Sequence, residues 1–239
     1  IDSFWFNVPN QYAIGIKAIA DSVVIKDIHF DLVGKGAGNI VQILGDKRTL
    51  MNNRFSGDYV LGDPQVSRAT EWGVGTITDI VFDNNIIDSL RQPGYINSGS
   101  GIISNNVINQ TKGWVIAGAE DLLIEENAFG TDGDKNDTHI AILNGVDPSG
   151  LVIRHNYFVS FDTWAIQDQG ATATVDASCN YWDSEIANEI ENKISGDIEV
   201  IPYLVRVTSG DQYSWDTSNE YDCSGPLIEI DSIVSQMTL

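Results

Sequence analysis

The segment Ser-Gly-Ile-Ile-Ser-Asn-Asn-Val-Ile at residues 100–108 aligns without gaps with Asp-Leu-Leu-Ile-Glu-Glu-Asn-Ala-Phe at residues 121–129. Each segment contains a short apolar run, an asparagine, one variable residue and a bulky apolar residue, which we call the anchor. Further copies, some of them degenerate, lie at residues 24–30, 49–55, 79–87, 150–158 and 174–182. Recurrence of one short unit along a chain is the signature of a repeat architecture.

An asparagine stands two residues before the anchor in six of the seven copies, and Ile28 replaces it in the first copy. The six are Asn53, Asn85, Asn106, Asn127, Asn156 and Asn180. A side-chain amide both donates and accepts, so it can bond to the same amide in the coils above and below. We therefore predict a ladder in which Asn106 and Asn127 are neighbours. Asparagine also tolerates the left-handed turn that such a corner requires.

Most coils contain a second short apolar segment between successive anchors. These segments are residues 14–16, 40–43, 114–116, 140–142 and 164–166, bounded by glycine, aspartate or asparagine. Helical periodicity does not persist beyond a turn or two, so the pattern predicts an all-β fold. The exception is Ser184 to Ile194, where isoleucines recur every four residues and predict a short helix or looped cap.

These features resemble the right-handed parallel β-helix superfamily, the pectate-lyase-like solenoids with an Asn-x-aromatic or Asn-x-aliphatic pattern in each coil. The resemblance covers roughly residues 12–204. It implies a single-stranded right-handed parallel β-helix of about seven coils, with residues 1–204 as the solenoid and 205–239 as a C-terminal cap. The segment Cys179-Asn180-Tyr181-Trp182 resembles the closing coil of cell-surface members, although Asp183 stands where that motif usually has glycine.

The composition narrows the range of functions. Of 239 residues, 34 are Asp or Glu and 13 are Lys or Arg, which gives a net charge of −21. Such a chain has no basic surface for nucleic acid, and no apolar run approaches the roughly 20 residues that span a bilayer. Acidic excess fits an extracellular or cell-surface setting. The chain starts at Ile1 without a methionine or a leader, so either a signal was removed or the chain is a domain of a longer protein, and we favour the second.

The two cysteines, Cys179 and Cys223, leave two possibilities open. They could form one disulfide, which would tie the tail to the last coil, or they could be two separate buried thiols.

The insertion between Phe129 and Phe158 contains the candidate metal site. Asp132, Asp134 and Asn136 alternate as in the first half of a calcium loop, and Asp137 could ligate or assist. The glycine and the distal glutamate of an EF-hand are missing, so a plain polar turn is the alternative. Residues 136–138 and 109–111 also form glycosylation sequons.

The resemblance implies enzymes among the possible functions, because the superfamily includes polysaccharide lyases and glycoside hydrolases. A lyase needs a base near a cation, and the candidate catalytic residues are Arg154, Lys135 and His139. Their alternative is ordinary solvated or structural charge. An inverting hydrolase needs two carboxylates roughly 6.5 to 9.5 Å apart. Residues on the last coils that could supply them are Asp162, Asp168 and Asp176, although a chain this acidic contains such pairs by chance.

Two tryptophans are candidates for ligand binding. Trp114 and Trp164 each stand six residues after an anchor, and aromatic side chains at equivalent positions could stack sugar rings. The alternative is that both rings pack in the core.

These observations predict an extracellular or cell-surface module that binds or processes a polysaccharide, with calcium as the candidate cofactor. The alternative is a non-catalytic structural or adhesive stalk of a larger surface protein. Because one fold hosts many functions, the resemblance alone does not decide between them.

Overall fold

The computed structural model describes residues 4–7, 13–32, 38–60, 67–73, 75, 77–131, 135–184, 186–206, 213–215 and 223. Three long parallel sheets, A, B and C, run along the molecule, and the chain visits them in that order once per coil. Each strand pairs with its counterparts in the coils before and after it. The prediction of an all-β, right-handed parallel β-helix of about seven coils is confirmed.

Sheet A consists of the strands that carry the anchors. They are β1 (Phe4–Asn7), β4 (Ile28–Asp31), β7 (Arg54–Ser56), β10 (Ile86–Asp88), β13 (Val107–Asn109), β16 (Ala128–Phe129) and β19 (Tyr157–Phe158). Sheet B consists of the segments between anchors. They are β2 (Ala13–Ala18), β5 (Gly38–Ile43), β8 (Ser67–Trp72), β11 (Gln92–Ile96), β14 (Trp114–Ile116), β17 (Asn136–Ile142), β20 (Phe161–Asp168) and β22 (Ile194–Ser195).

Sheet C consists of the apolar runs that precede the asparagines. They are β3 (Val24–Lys26), β6 (Thr49–Met51), β9 (Ile77–Asp83), β12 (Gly99–Ser104), β15 (Asp121–Glu125) and β18 (Leu151–Arg154). Two small pairs follow, β21 (Val175–Asp176) with β23 (Ile198–Glu199) and β24 (Leu204–Arg206) with β25 (Tyr213–Trp215). A 3₁₀ turn spans Pro148–Gly150, and the helix α1 spans Ala187–Glu191, within the segment predicted to be helical.

The anchors form the centre of the core. All seven are fully buried: Phe30, Phe55, Ile87, Ile108, Phe129, Phe158 and Trp182. Aromatic anchors in adjacent coils stack on one another, with ring centroids 4.9 Å apart for Phe30 and Phe55 and 5.1 Å apart for Phe129 and Phe158. Stacked aromatic pairs of this kind add to the stabilisation that burial gives.

The predicted asparagine ladder is present at the corner where sheet C passes into sheet A. Asn106 Oδ1 accepts hydrogen bonds from the backbone N–H (2.8 Å) and the Nδ2 (3.0 Å) of Asn85. Asn106 Nδ2 donates to Asn127 Oδ1 and to the carbonyl of Phe82, both at 2.9 Å. The same pattern links Asn53 to Asn85, Asn127 to Asn156, and Asn156 to Asn180. Each buried amide is thereby satisfied.

The left-handed conformation at this corner belongs to the residue before the ladder asparagine, which corrects our assignment of it to the asparagine itself. Seven residues have φ between 51° and 59° at this position: Asp27, Asn52, Asn84, Asn105, Glu126, His155 and Cys179. The ladder asparagine cannot take that role because its side chain must point inward. Asp183 also has a positive φ of 52°, so it adopts the conformation that glycine usually supplies in the closing motif.

The end of the solenoid is tied to the C-terminal segment. Cys179 and Cys223 form a disulfide, which decides between the two possibilities that the sequence leaves open. The ring of His155, one coil from Cys179, hydrogen-bonds the backbone of Cys223. Strand β25 runs antiparallel to β24 and interrupts parallel stacking there. Within 205–239 the structure describes only residues 205, 206, 213–215 and 223. A covering role for the rest of this segment stays a prediction. None of the described helices has the length and apolarity to span a membrane.

Replacing Asn106 by alanine should lower the free energy of unfolding by about 3 kcal/mol. The change removes the acceptor of the Asn85 backbone N–H and of one of its two side-chain N–H bonds, since Asn85 Nδ2 keeps its bond to the Leu50 carbonyl, and it removes the side-chain donor to the Phe82 carbonyl. Each unsatisfied buried group costs roughly 1–3 kcal/mol. Denaturant titration measures the loss. Asn188→Ala, on the exposed face of α1, is the control and should change stability by less than about 0.5 kcal/mol. A loss below about 1 kcal/mol for Asn106→Ala would show that the asparagine ladder contributes little to the free energy of unfolding.

Removing the disulfide should destabilise the last coils. The bridge closes a loop with a sequence separation of 44, which stabilises the folded chain by roughly 3–4 kcal/mol in the chain-entropy account. Reduction of the wild type and the Cys179→Ser/Cys223→Ser variant should show equal losses in the free energy of unfolding. The variant should not respond to reductant. Equal stability of reduced and oxidised wild type is the outcome that would count against this role.

Candidate functional site

The candidate site lies on the outer face of sheet B, at the edge where the chain enters it from sheet A. In the sequence, the two largest insertions between anchors fall in the intervals Phe55–Ile87 and Phe129–Phe158, and part of each comes between a strand of sheet A and the next strand of sheet B. From the sequence we expect any site to lie beside these insertions. Strands of sheet B hold their side chains in register, so outward-facing residues of successive coils form columns across the sheet.

One cluster of polar side chains lies at this edge, and we call it the Arg68 cluster: Asn39, Arg68, Glu71, Gln92 and Tyr95. Arg68 Nε donates to Gln92 Oε1 at 2.6 Å, and Arg68 Nη1 lies 3.6 Å from Glu71 Oε2. The guanidinium also lies over the Tyr95 ring, with Cζ 5.0 Å from the ring centroid. Asn39 Nδ2 donates to Glu71 Oε2. Three adjacent coils therefore contribute to one connected network.

The Arg68 cluster is half-buried, which strengthens its electrostatics. The side chains of Arg68 and Glu71 are each 20% exposed. Burial lowers the pKa of the Arg68 guanidinium and Arg91 lowers it further, while the charge of Glu71 opposes both. The guanidinium remains charged, because its ordinary pKa is far above neutral. A guanidinium, a carboxylate, two amides and an aromatic ring fixed in this way can bind a hydroxyl-rich ligand without first being ordered.

A second cluster lies at the same edge three coils further on. Asp137 accepts a hydrogen bond from Thr163 Oγ1 at 2.7 Å, and its other oxygen lies 3.6 Å from Lys112 Nζ. Lys135 Nζ lies 3.4 Å from Asp162 Oδ1. Trp164 follows in β20 and is half-buried. The structure thus brings three predicted site residues, Lys135, Asp137 and Trp164, to one region.

Two other predicted residues of this region are buried beneath the surface. Asn136 is fully buried, and its Oδ1 accepts the backbone N–H of Thr111 at 2.8 Å. Its Nδ2 donates to the carbonyl of Ile108 and to His139 Nδ1, both at 2.9 Å. With these bonds made, the Asn136 side chain is not free to ligate calcium or to carry a glycan. The sequon at residues 109–111 is likewise buried.

His139 is a core residue in this structure. It is fully buried between the rings of Phe129, Phe158 and Phe161, at centroid distances of 5.2 to 5.5 Å. Burial lowers the pKa of His139 to about 3, and the positive charge of Lys193 contributes to the shift. A neutral imidazole enclosed in this way cannot exchange protons with a ligand on the outer face. The structure therefore places His139, a candidate catalytic residue, in the core and not on the outer face.

The calcium prediction is only partly covered by the described residues. Asp132 and Asp134 lie outside them, Asn136 is engaged in the core, and Asp137 is paired with Lys112 and Thr163. Among the residues that the structure describes, no group of three or more His, Cys, Asp or Glu side chains is arranged to hold a metal ion.

Trp114 is fully buried, so its ring offers no surface on which a sugar could stack. It packs against Phe82 edge to face at 5.4 Å and lies over Gly94, where a Cβ atom would overlap the indole. Trp114 and Trp164 are not equivalent, because Trp114 aligns with Ile140 and, one coil on, with Ile166. A register shift between Asn136 and Thr138 breaks the spacing on which that prediction depended.

Arg154 lies on the outer face of sheet C, away from the other catalytic candidates. Its Nε and Nη2 both lie 3.1 Å from Glu125 Oε2. The register places it above Glu125 in the neighbouring coil. Arg154, Lys135 and His139 therefore do not form one catalytic site in this structure.

The three aspartates considered for hydrolase chemistry each bond to nearby groups of the protein. Asp168 Oδ1 accepts the backbone N–H groups of Gly170 (2.9 Å) and Ala171 (2.6 Å). Burial alone would raise the pKa of Asp168, but the hydrogen bonds from Ala171, Gly170 and Asp197 stabilise the carboxylate and hold its pKa below the usual value. Asp176 accepts from Ser178, and Asp162 is paired with Lys135.

Sequence reasoning missed the Arg68 cluster. Arg68 and Glu71 are three apart in a strand, so ideal alternation would place them on opposite faces. They share the outer face because Ala69 and Thr70, between them, are both buried. The only indication of this cluster in the sequence is the position of Arg68 and Glu71 in the chain, because β8 directly follows one of the largest insertions. Comparison with known proteins adds no assignment, because no family model, no curated protein and no solved structure matches this chain.

His139 should make the protein less stable as the pH falls below about 6.5. Its folded-state pKa, about 3, is lower than that of an unfolded histidine, so the unfolded chain binds the extra proton. Between pH 6.5 and pH 5 this linkage should cost about 2 kcal/mol, measured by denaturant titration. NMR titration should leave the His139 ring signals unchanged down to pH 5. A midpoint near 6.5 would contradict its burial.

Proposed function

We propose that the protein is an extracellular polysaccharide-binding module whose ligand lies on the outer face of sheet B. The observation that carries the proposal is the Arg68 cluster, in which Arg68 lies over Tyr95 and bonds to Gln92 while Glu71 and Asn39 complete the network. Charged and amide groups around an aromatic ring meet the two needs of sugar recognition, which are hydroxyl hydrogen bonding and stacking.

The face is long enough for an extended ligand. The column of sheet B that contains Glu71 and Tyr95 continues through Gln42 on one side and through Val115, the buried Ala141 and Gln167 on the other. Amide side chains at both ends can donate and accept, so several sugar units could find partners along one line. The second cluster, around Asp137 and Trp164, lies at the same edge and extends this surface.

Binding is favoured over catalysis because the candidate reactive groups are dispersed. Arg154 lies on sheet C, His139 is in the core, and Lys135 is paired with Asp162. An enzyme needs an acid and a base within reach of one bond, together with a group that stabilises developing charge. Lyase or hydrolase activity would therefore have to use a different set of residues.

An extracellular location is supported by two features. The disulfide between Cys179 and Cys223 is of the kind that persists in oxidising compartments. The net charge of −21 keeps a protein dispersed and repels free polyanions. A structural stalk is the second candidate function, and it is favoured by the continuous asparagine ladder and the tied C-terminal end.

The experiment is a glycan array followed by titration against the best ligand. Arg68→Ala and Tyr95→Ala should each weaken binding roughly tenfold, because each removes a central contact. Arg154→Ala is the matched control, since Arg154 is also an outward arginine paired with a glutamate, but on sheet C. It should change the affinity by less than twofold. Binding to none of the glycans, with all variants folded, would favour the stalk.

Calcium enters the same experiment as a separate arm. If Asp132 and Asp134 hold calcium, 1 mM calcium should raise the melting temperature through preferential binding to the folded chain. Asp134→Ala should abolish most of that rise, and chelator should weaken binding to acidic glycans. An identical melting curve with and without calcium would show that the loop is a polar turn that does not bind calcium. An ultraviolet assay for unsaturated products would reveal lyase activity in the same samples.

A further inference from the structure

The outer face of sheet C carries a feature that the proposed function does not use. One outward-facing residue from each of its six strands falls in a single column: Val24, Thr49, Val81, Ile102, Leu123 and Val152. Five of the six are aliphatic. We call this column the aliphatic stripe.

The aliphatic stripe is open to solvent. Val24, Ile102 and Val152 are 58%, 40% and 38% exposed, and they account for three of the seven large hydrophobic side chains that are exposed among the described residues. Val81 and Leu123 are half-buried. Isolated exposed aliphatic residues are normal on a protein surface, but a continuous row marks an interaction site.

Acidic side chains lie on both sides of the stripe in its central coils. On one side are Asp83 and Glu125, two residues beyond Val81 and Leu123 in the same strands. On the other side are Asp121 and, in the bulge before Ile80, Asp79, both exposed. The pKa of the neighbouring Glu126 is raised by partial burial and by the negative charges of Glu125 and Asp83, while Arg154 opposes the shift. The four carboxylates make the central coils of this face negative, while Arg154, which pairs with Glu125, and the exposed Lys26 and Lys47 flank the stripe nearer its ends.

We propose that the aliphatic stripe binds a basic amphipathic helix of a partner protein. The apolar face of such a helix would cover Val81, Ile102 and Leu123, and lysines or arginines on its two sides would face the acidic rows. Six strands at about 4.8 Å spacing give a stripe of roughly 24 Å, the length of a helix of about 16 residues. The acidic rows are four residues apart, or roughly 13 Å, which accommodates a helix 10–12 Å across.

Charge argues against a second copy of this chain as the occupant. Two such faces packed together would bring Asp79, Asp83, Asp121 and Glu125 of one copy against acidic residues of the other. Like charges opposed across an interface cost several kcal/mol, so the flanks act against self-association. They attract a cationic partner for the same reason, and the attraction should fall as salt screens it.

The test uses a defined probe, a 16-residue peptide of leucine and lysine with leucines at helical spacing on one face. Fluorescence anisotropy at about 0.15 M salt measures its affinity for the full chain. The peptide should bind at least tenfold more tightly than a scrambled peptide of the same composition or a leucine–glutamate version. Ile102→Ser/Leu123→Ser should weaken binding about tenfold, and Asp79→Asn/Asp121→Asn should do so to a similar extent.

Matched controls separate the stripe from general attraction to an acidic protein. Ile19→Ser/Ile186→Ser removes two isoleucines elsewhere that are more exposed than Ile102, and Asp58→Asn/Glu191→Gln removes two exposed charges elsewhere. Both should bind as the wild type does. Equal binding of the scrambled peptide, or equal losses in the control variants, would overturn the proposal. So would a dimer in sedimentation that Ile102→Ser/Leu123→Ser dissociates, because the occupant would then be a second copy.

Discussion

The structure depends on the need to satisfy polar groups at a buried corner that recurs in every coil. Where sheet C passes into sheet A, the backbone turns within two residues and its N–H and carbonyl groups cannot all join a strand ladder. The amides of Asn85, Asn106 and Asn127 supply the missing partners, and each also bonds to the next amide. Because unsatisfied buried groups are costly, this corner cannot shift relative to its neighbours. The fixed corner places each anchor directly on the preceding anchor.

The fold could be predicted from the sequence because the ladder imposes the same residue at the same place in each coil. Asn53 to Asn180 appear as a pattern without any structural knowledge. The sequence did not predict sheet A as a separate sheet, because its strands have only two to four residues and too little periodicity to recognise. The left-handed residue was also misplaced, because asparagine is typical of both positions. Asn105 and Asn106 are adjacent, and only one of them turns inward.

The candidate site was much less predictable, because its residues come together through register between coils rather than through spacing in the chain. Three of the candidate residues, Lys135, Asp137 and Trp164, lie in one region at the edge of sheet B. Trp114 and His139 were candidates because their residue type suggested chemistry, yet both fill core space. A bulge near Asn136 shifts the register, so counting residues from the anchor does not identify equivalent positions in successive coils. Such shifts leave no clear mark in the sequence.

The separation between ladder asparagines has a consequence for how the molecule can change length. Asn85, Asn106 and Asn127 are each separated by 21 residues, and this part of the chain forms whole coils without inserted loops. A tandem duplication of one such unit would present the same amides, anchors and strand edges to its neighbours as the original does. Duplication of the gene segment that encodes one such unit can therefore lengthen the solenoid by one whole coil. Insertions of other lengths are confined to the corners that lack the asparagine ladder.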